Sequence, residues 1–178
     1  MNLQQLQLRQ APWQQHNFPG SVASDAIHGI VEECGELAQA YYDSWRLEEA
    51  DAVSDIAIYM VGFCTLSGIT VSDCELNFEA CQKDKIERDK CPTFEYSFLH
   101  LLIIVGDISH AHLKLHQGIR GNGDELRVQL VIGIARLIRW LKGFCLNRQI
   151  NFEEVIETTW AHVEARDWQK FKRNGVTA

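Results

Sequence analysis

Five carboxylates pose the first question about this chain of 178 residues. Glu32, Glu33 and Glu36 fall on adjacent turns, and at about 100° per residue a helix holds them within one sector about 100° wide. Asp51 and Asp55, four apart, share one face of the next apolar-periodic stretch. Both groups sit among apolar residues, Ile30, Val31 and Leu37 in the first and Val53, Ile56 and Ile58 in the second, not on a polar stripe. A short connection predicts that the two helices pack antiparallel, so that the five acids meet in one cleft. Carboxylates at that density repel and desolvation sharpens the repulsion, for which a divalent cation is the ordinary remedy. An all-oxygen donor set with no paired Cys or His suits Mg²⁺ or Mn²⁺ over zinc. An isolated ExxE is usually a solvated acidic face. Two clusters on consecutive helices, each flanked by core residues, favour metal binding.

The elements that must hold these acids read as helices. Pro12, Pro19 and Pro92 all lie outside the long periodic segments, and residues 1–20 are Gln-rich and end in a turn signal at Asn17-Phe18-Pro19-Gly20. Ser24 or Asp25 is expected to cap a helix through Ile27, Ile30, Val31, Leu37, Ala40 and Tyr41. A second helix is predicted from about Leu47 to Leu66, burying Val53, Ile56, Ala57, Met60 and Phe63 and stopping at Ser67-Gly68. A third spans about Ser72 to Arg88. Further helices follow over Phe98–Leu115, Glu125–Leu146 and Phe152–Lys172, with a loop at Gly118–Gly123. The fold class is therefore all-α.

The second half repeats the first. Gly62-Phe63-Cys64 recurs as Gly143-Phe144-Cys145, and Ile69 as Ile150, at the same offset of 81. Gly35-Glu36-Leu37-Ala38-Gln39-Ala40 aligns with Gly106-Asp107-Ile108-Ser109-His110-Ala111, and Arg88-Asp89 with Arg166-Asp167. Matches in preserved order point to duplication: one domain over 1–178, with an N-terminal arm at 1–23, a first repeat at 24–90 and a degenerate second at 91–178. Charge divides the same way. Residues 1–90 hold 6 Lys/Arg against 15 Asp/Glu, net −9, and residues 91–178 hold 11 against 9, net +2, for −7 in all. That balance argues against a nucleic-acid binder. The longest apolar run, Leu101–Val105, is far short of the ~18 residues of a membrane span. The six cysteines form no CxxC pair, and the expectation is reduced thiols in a cytoplasmic chain.

Glu33-Cys34-Gly35-Glu36, preceded by Glu32, followed by Asp51-Ala52-Val53-Ser54-Asp55-Ile56-Ala57-Ile58-Tyr59, resembles the two motifs of the MazG-like all-α nucleoside triphosphate pyrophosphohydrolases. That superfamily also includes dimeric dUTPases and phosphoribosyl-ATP pyrophosphatases. Its ExxE matches Glu33 and Glu36, and the last acid of its ExxD matches Asp55; the Glu of ExxD falls at Ala52, where Asp51, one residue earlier, is read as the stand-in. Trp13 to Phe18 resembles the N-terminal arm of the phage-associated subgroup. Ala111-His112-Leu113-Lys114 with Gln117-Gly118-Ile119-Arg120-Gly121 resembles the loop after the first family helix, and Thr159-Trp160-Ala161 with Ala165-Arg166-Asp167-Trp168 resembles its C-terminal helix. The resemblance implies a helical bundle made as an intrachain pseudo-dimer. The second repeat has lost its acids: Ile103, Ile104 and Asp107 stand for Glu32, Glu33 and Glu36, and Ile132 and Arg136 for Asp51 and Asp55.

The activity implied is cleavage of a nucleoside triphosphate to the monophosphate and pyrophosphate, with Mg²⁺ or Mn²⁺ held by Glu33, Glu36, Asp51 and Asp55. Glu32 would ligate as well or orient the attacking water. Lys83, Lys85 and Arg88, or Lys114 and Arg120 from the second repeat, are candidate phosphate cations, each weighed against an ordinary surface charge; an unchanged KM on Lys114→Ala would reject that role. Trp13, His16, Asn17 and Phe18 are a candidate base pocket, against the alternative of an arm packed on the bundle. A purine deoxynucleotide such as dGTP is the favoured substrate. A dUTPase-like activity and a non-catalytic nucleotide sensor or scaffold are the alternatives. Two such chains are expected to pair, with no nucleic acid or membrane as partner. A di-iron bundle is suggested by Asp107-Ile108-Ser109-His110, but it needs a second acid-x-x-His and two further Glu residues.

Overall fold

A computed structural model describes residues 1–76 and 94–176. Seven α-helices and no strand are found among them: α1 (Leu3–Asn17), α2 (Ala23–Tyr42), α3 (Arg46–Ser67), α4 (Val71–Leu76), α5 (Phe94–Gln117), α6 (Gly123–Arg148) and α7 (Phe152–Glu164). The all-α reading holds. The chain divides into two units, one of residues 1–71 and 145–178, the other of residues 72–144. This division does not follow the halves read from the sequence, because the C-terminal helix α7 packs on α3 and α1.

In the first unit α3 is the central helix. Val53, Ile56, Ala57, Met60, Val61, Phe63 and Cys64 are all buried, so apolar residues surround its axis, the mark of an interior helix. α2 forms its hairpin partner. Ser44, at φ 59, turns the chain after α2, and Trp45 N–H donates to Ala40 O at 2.8 Å. At the far end Gly68 takes the left-handed conformation at φ 66 that ends α3, as its position after Ser67 predicts.

Three sequence expectations change. The Gln-rich opening is a helix, with Pro12 inside it, and its glutamines do structural work. Gln10 Nε2 donates to Ile58 O at 2.9 Å, while Gln7 donates to Ile69 O at 2.9 Å and accepts from Val71 N–H at 3.0 Å, clamping the turn between α3 and α4. Neither Ser24 nor Asp25 is the N-cap of α2. Val22 is, and Asp25 sits in the first turn, accepting the Val22 N–H at 2.9 Å. The last helix stops at Glu164 rather than Lys172. From there the tail folds back on α1: Trp168 N–H donates to Asn17 Oδ1 at 2.7 Å, and Gln169 Nε2 donates to Asn17 O at 2.6 Å.

The second unit is built on α5 and α6 as an antiparallel pair. Arg136 Nη1 contacts Asp107 Oδ2 at 2.6 Å and Trp140 Nε1 donates to Ser97 O at 2.9 Å. Leu101, Ile104 and Ile108 of α5 and Leu130, Ile134 and Leu141 of α6 are buried, and Trp140 stacks on Phe144 with ring centroids 5.3 Å apart. By length and composition α3 and α5 are apolar enough to cross a membrane, a property that counting uninterrupted apolar runs did not reveal; α3 is mostly buried as the core of its unit.

Candidate functional site

The α2–α3 hairpin sets the register of the acids. Gly29 of α2 lies under the Tyr59 ring of α3, so closely that a Cβ there would collide with it. Moving along α2 brings Glu32, Glu33 and Glu36, while moving back along α3 brings Asp55 and Asp51. Across this hairpin Glu33 feels the charges of Asp55, Glu36, Glu32 and Asp51.

Glu33 is the buried member. The residue is only 8% exposed, and its Oε2 has no hydrogen-bond partner among the described residues. Burial first, then the neighbouring acids, push its carboxyl up to about 8. Asp55 is pushed up to about 7, by burial and then by Asp51, while the positive charge of Arg166 works in the opposite direction. The Tyr59 phenol is raised by burial and then by Glu33. An orphaned, desolvated carboxylate oxygen among four other acids is a donor set that suits a hard divalent cation. Among the described residues no three His, Cys, Asp or Glu side chains converge closely enough to hold a metal as they stand.

Ala52 is 3% exposed, whereas Asp51, one residue earlier, stands on the stripe of Asp55 and Tyr59 and faces the α2 acids. Cys34, inside the first motif, is buried and its thiol is pushed up to about 12 by burial and then Glu33, so it packs as a small apolar group.

Three neighbours were not foreseen as site residues. Thr159 Oγ1 of α7 donates to Asp51 Oδ1 at 3.3 Å. Arg166 brings a positive charge to Asp55. No spacing rule links either to acids a hundred residues away. Tyr59 was detectable, because it continues the i, i+4 series of Asp51 and Asp55.

The expected substrate residues separate. Asn17 is 2% exposed, and its amide is engaged by Trp13 O and Trp168 N–H, so it is a clamp within the fold and not a reader of a base edge. Trp13 packs edge-on against Trp160 at 5.6 Å and Phe18 at 5.7 Å and donates to Arg166 O at 3.1 Å. His16 Nε2 lies 3.4 Å from Asp167. Here the arm packs on the bundle. Lys83, Lys85 and Arg88 lie outside the described residues. Lys114 and Arg120 belong to the second unit, where Lys114 Nζ donates to Gln117 Oε1 at 3.0 Å and Arg120 has φ 60. In the acid-x-x-His motif considered for iron, Asp107 is paired with Arg136, and His110 is exposed.

No family model, curated protein or solved structure matches the chain.

Proposed function

We propose that the chain is a metal-dependent nucleoside triphosphate pyrophosphohydrolase of the MazG-like kind. The observation that carries this reading is Glu33, a buried carboxylate with an unpartnered oxygen, surrounded by four further acids. Glu33, Glu36, Asp51 and Asp55 would hold Mg²⁺ or Mn²⁺. When bound, the cation supplies neutralisation of the triphosphate and acidification of a water. Glu32 is exposed beside this set and would orient that water toward the α-phosphorus. Water oxygen bonds to the α-phosphorus, the bond to the α–β bridging oxygen breaks, pyrophosphate leaves, and the water proton passes to a carboxylate. Thr159 steadies Asp51, and Arg166 adds positive charge beside Asp55 where phosphate oxygens would lie.

Two local features support the tandem repeat. Both hairpins end alike: Ile69 N–H donates to Cys64 O at 2.9 Å and Ile150 N–H to Cys145 O at 2.8 Å, with left-handed residues at Gly68 and Gln149. Where the first repeat sets Glu36 near Asp55, the second sets Asp107 against Arg136, an ion pair that satisfies itself without a cation. We further read the chain as cytoplasmic, as self-pairing, and as acting on a purine deoxynucleotide such as dGTP.

The test is pyrophosphate release across the dNTPs with Mg²⁺ or Mn²⁺, beside Glu33→Gln. Turnover that needs the metal and is lost in the variant supports the proposal. The spread of the acids favours one second reading, a nucleotide sensor, for which nucleotide binding without pyrophosphate release is the expected outcome.

A further inference from the structure

Helix α5 has two apolar faces, and the second unit uses one of them. Leu101, Ile104, Val105, Ile108 and Ala111 are buried. On the opposite side of the helix stand Tyr96, Leu99, Ile103, Gly106, His110 and Leu113, spaced by three, four, three, four and three residues, and all six are exposed. Leu99 and Ile103 are 57% and 56% exposed. Alternation of three and four is the 3.5-residue repeat of a seam that another helix fills, narrower than the apolar face of a helix lying on a core. An exposed apolar stripe of this length marks an interaction surface.

The stripe complements a copy of itself laid antiparallel. With a two-fold axis crossing between residues 104 and 105, Ile103 faces Gly106 of the second copy, Leu99 faces its His110, and Tyr96 faces its Leu113. The largest aliphatic side chain at the centre thus meets the residue with none. A Cβ built on Gly106 finds nothing within 4 Å, so this notch is open to a partner. Charge selects the same direction. α5 carries Glu95 in its first turn and Lys114 and His116 in its last, so antiparallel pairing sets each acidic end beside a basic one and opposes the two helix dipoles. A parallel pair would set Glu95 beside its own copy and leave a gap where Gly106 meets Gly106.

We propose that the outward face of α5 is an interface between two copies of this chain, paired antiparallel with Ile103 of each seated over Gly106 of the other. Such a contact is isologous and closes at two copies. The proposal rests on the self-pairing read above and assigns it a face, a direction and a register.

The experiment is sedimentation equilibrium of the full chain and three variants, each checked by circular dichroism. Gly106→Leu fills the notch without meeting its own chain and Ile103→Glu charges the seam; both raise the dimer dissociation constant at least tenfold. Val128→Glu, at an exposed position of α6 off the stripe, leaves it unchanged. Direction is read by a nitroxide on Gln117→Cys, against the parent carried through the same labelling. The antiparallel register sets the two labels about 37 Å apart along the axis, at 1.5 Å per residue, and a parallel pair sets them about 10 Å apart across it. A dimer that persists in Gly106→Leu and Ile103→Glu, or the short distance, overturns the proposal and leaves self-pairing standing. A monomeric parent overturns both, and its flotation with phosphatidylglycerol vesicles would assign the face to lipid. None of these readouts uses a nucleotide, so the interface and pyrophosphate release fail independently.

Discussion

Glu33 links the protonation of the site to the stability of the chain. In the fold its carboxyl is held up to about 8, against 4.5 for the ordinary side chain. Between those values the folded state binds more protons than the unfolded state, so metal-free stability is greatest near the lower value and falls as pH rises. Asp55, pushed up to about 7, adds to the fall from about pH 4 to 7. Thermal unfolding of the metal-free protein should lose several degrees between pH 5 and 8. Glu33→Gln, which cannot ionise, should remove most of that loss, and millimolar Mg²⁺ or Mn²⁺ should raise Tm at pH 8 in the parent only. A melting temperature independent of pH over this window would contradict the electrostatic account. Gly29→Ala tests the register more simply: the new methyl must displace the Tyr59 ring, with a cost of about 1–3 kcal/mol in a denaturant titration and reduced turnover.

The α2–α3 hairpin was legible because its signals are local and agree: apolar residues at helical spacing, a short link, a glycine stop and acids on one face. α1 was not, because glutamine carries no periodic apolar signal, and Gln10 and Gln7 are set by the backbone they bond, in α3 and in the turn after it, more than forty residues away. The tail beyond Glu164 was read as helix for the opposite reason. Its pattern continues helically, but Asn17 takes the Trp168 N–H and holds the chain in turns. Asn17→Ala should therefore speed proteolytic cleavage between residues 165 and 176 without a direct effect on the acids; protection equal to the parent would return Asn17 to the candidate substrate residues. A second clamp joins Glu49 of α3, fully buried at 0% exposure, to the Arg148 side chain, through Nε–Oε2 at 2.7 Å and a second parallel bond, with the guanidinium 5.3 Å from the Tyr41 ring centre. Arg148→Met leaves that carboxylate without its cation and should cost about 2–4 kcal/mol in chemical unfolding, part of which Glu49→Gln in the same chain recovers.

Across the molecule the net charge of −7 is concentrated in the first 90 residues, at −9. Five of those acids stand at one site, so the charge that would repel a triphosphate is the charge proposed to recruit the cation it travels with. The second hairpin, with Asp107 paired to Arg136, has no such need. Self-pairing of the chain predicts twice the chain mass by light scattering; the monomer mass at micromolar concentration would remove it from the account. The claim of α–β cleavage is tested most directly by ³¹P NMR of the protein with each dNTP and Mg²⁺. The account predicts pyrophosphate and the deoxynucleoside monophosphate in equal amounts, most rapidly from dGTP, and neither product from Glu33→Gln. Orthophosphate as the first product, or no product from any dNTP, would contradict it.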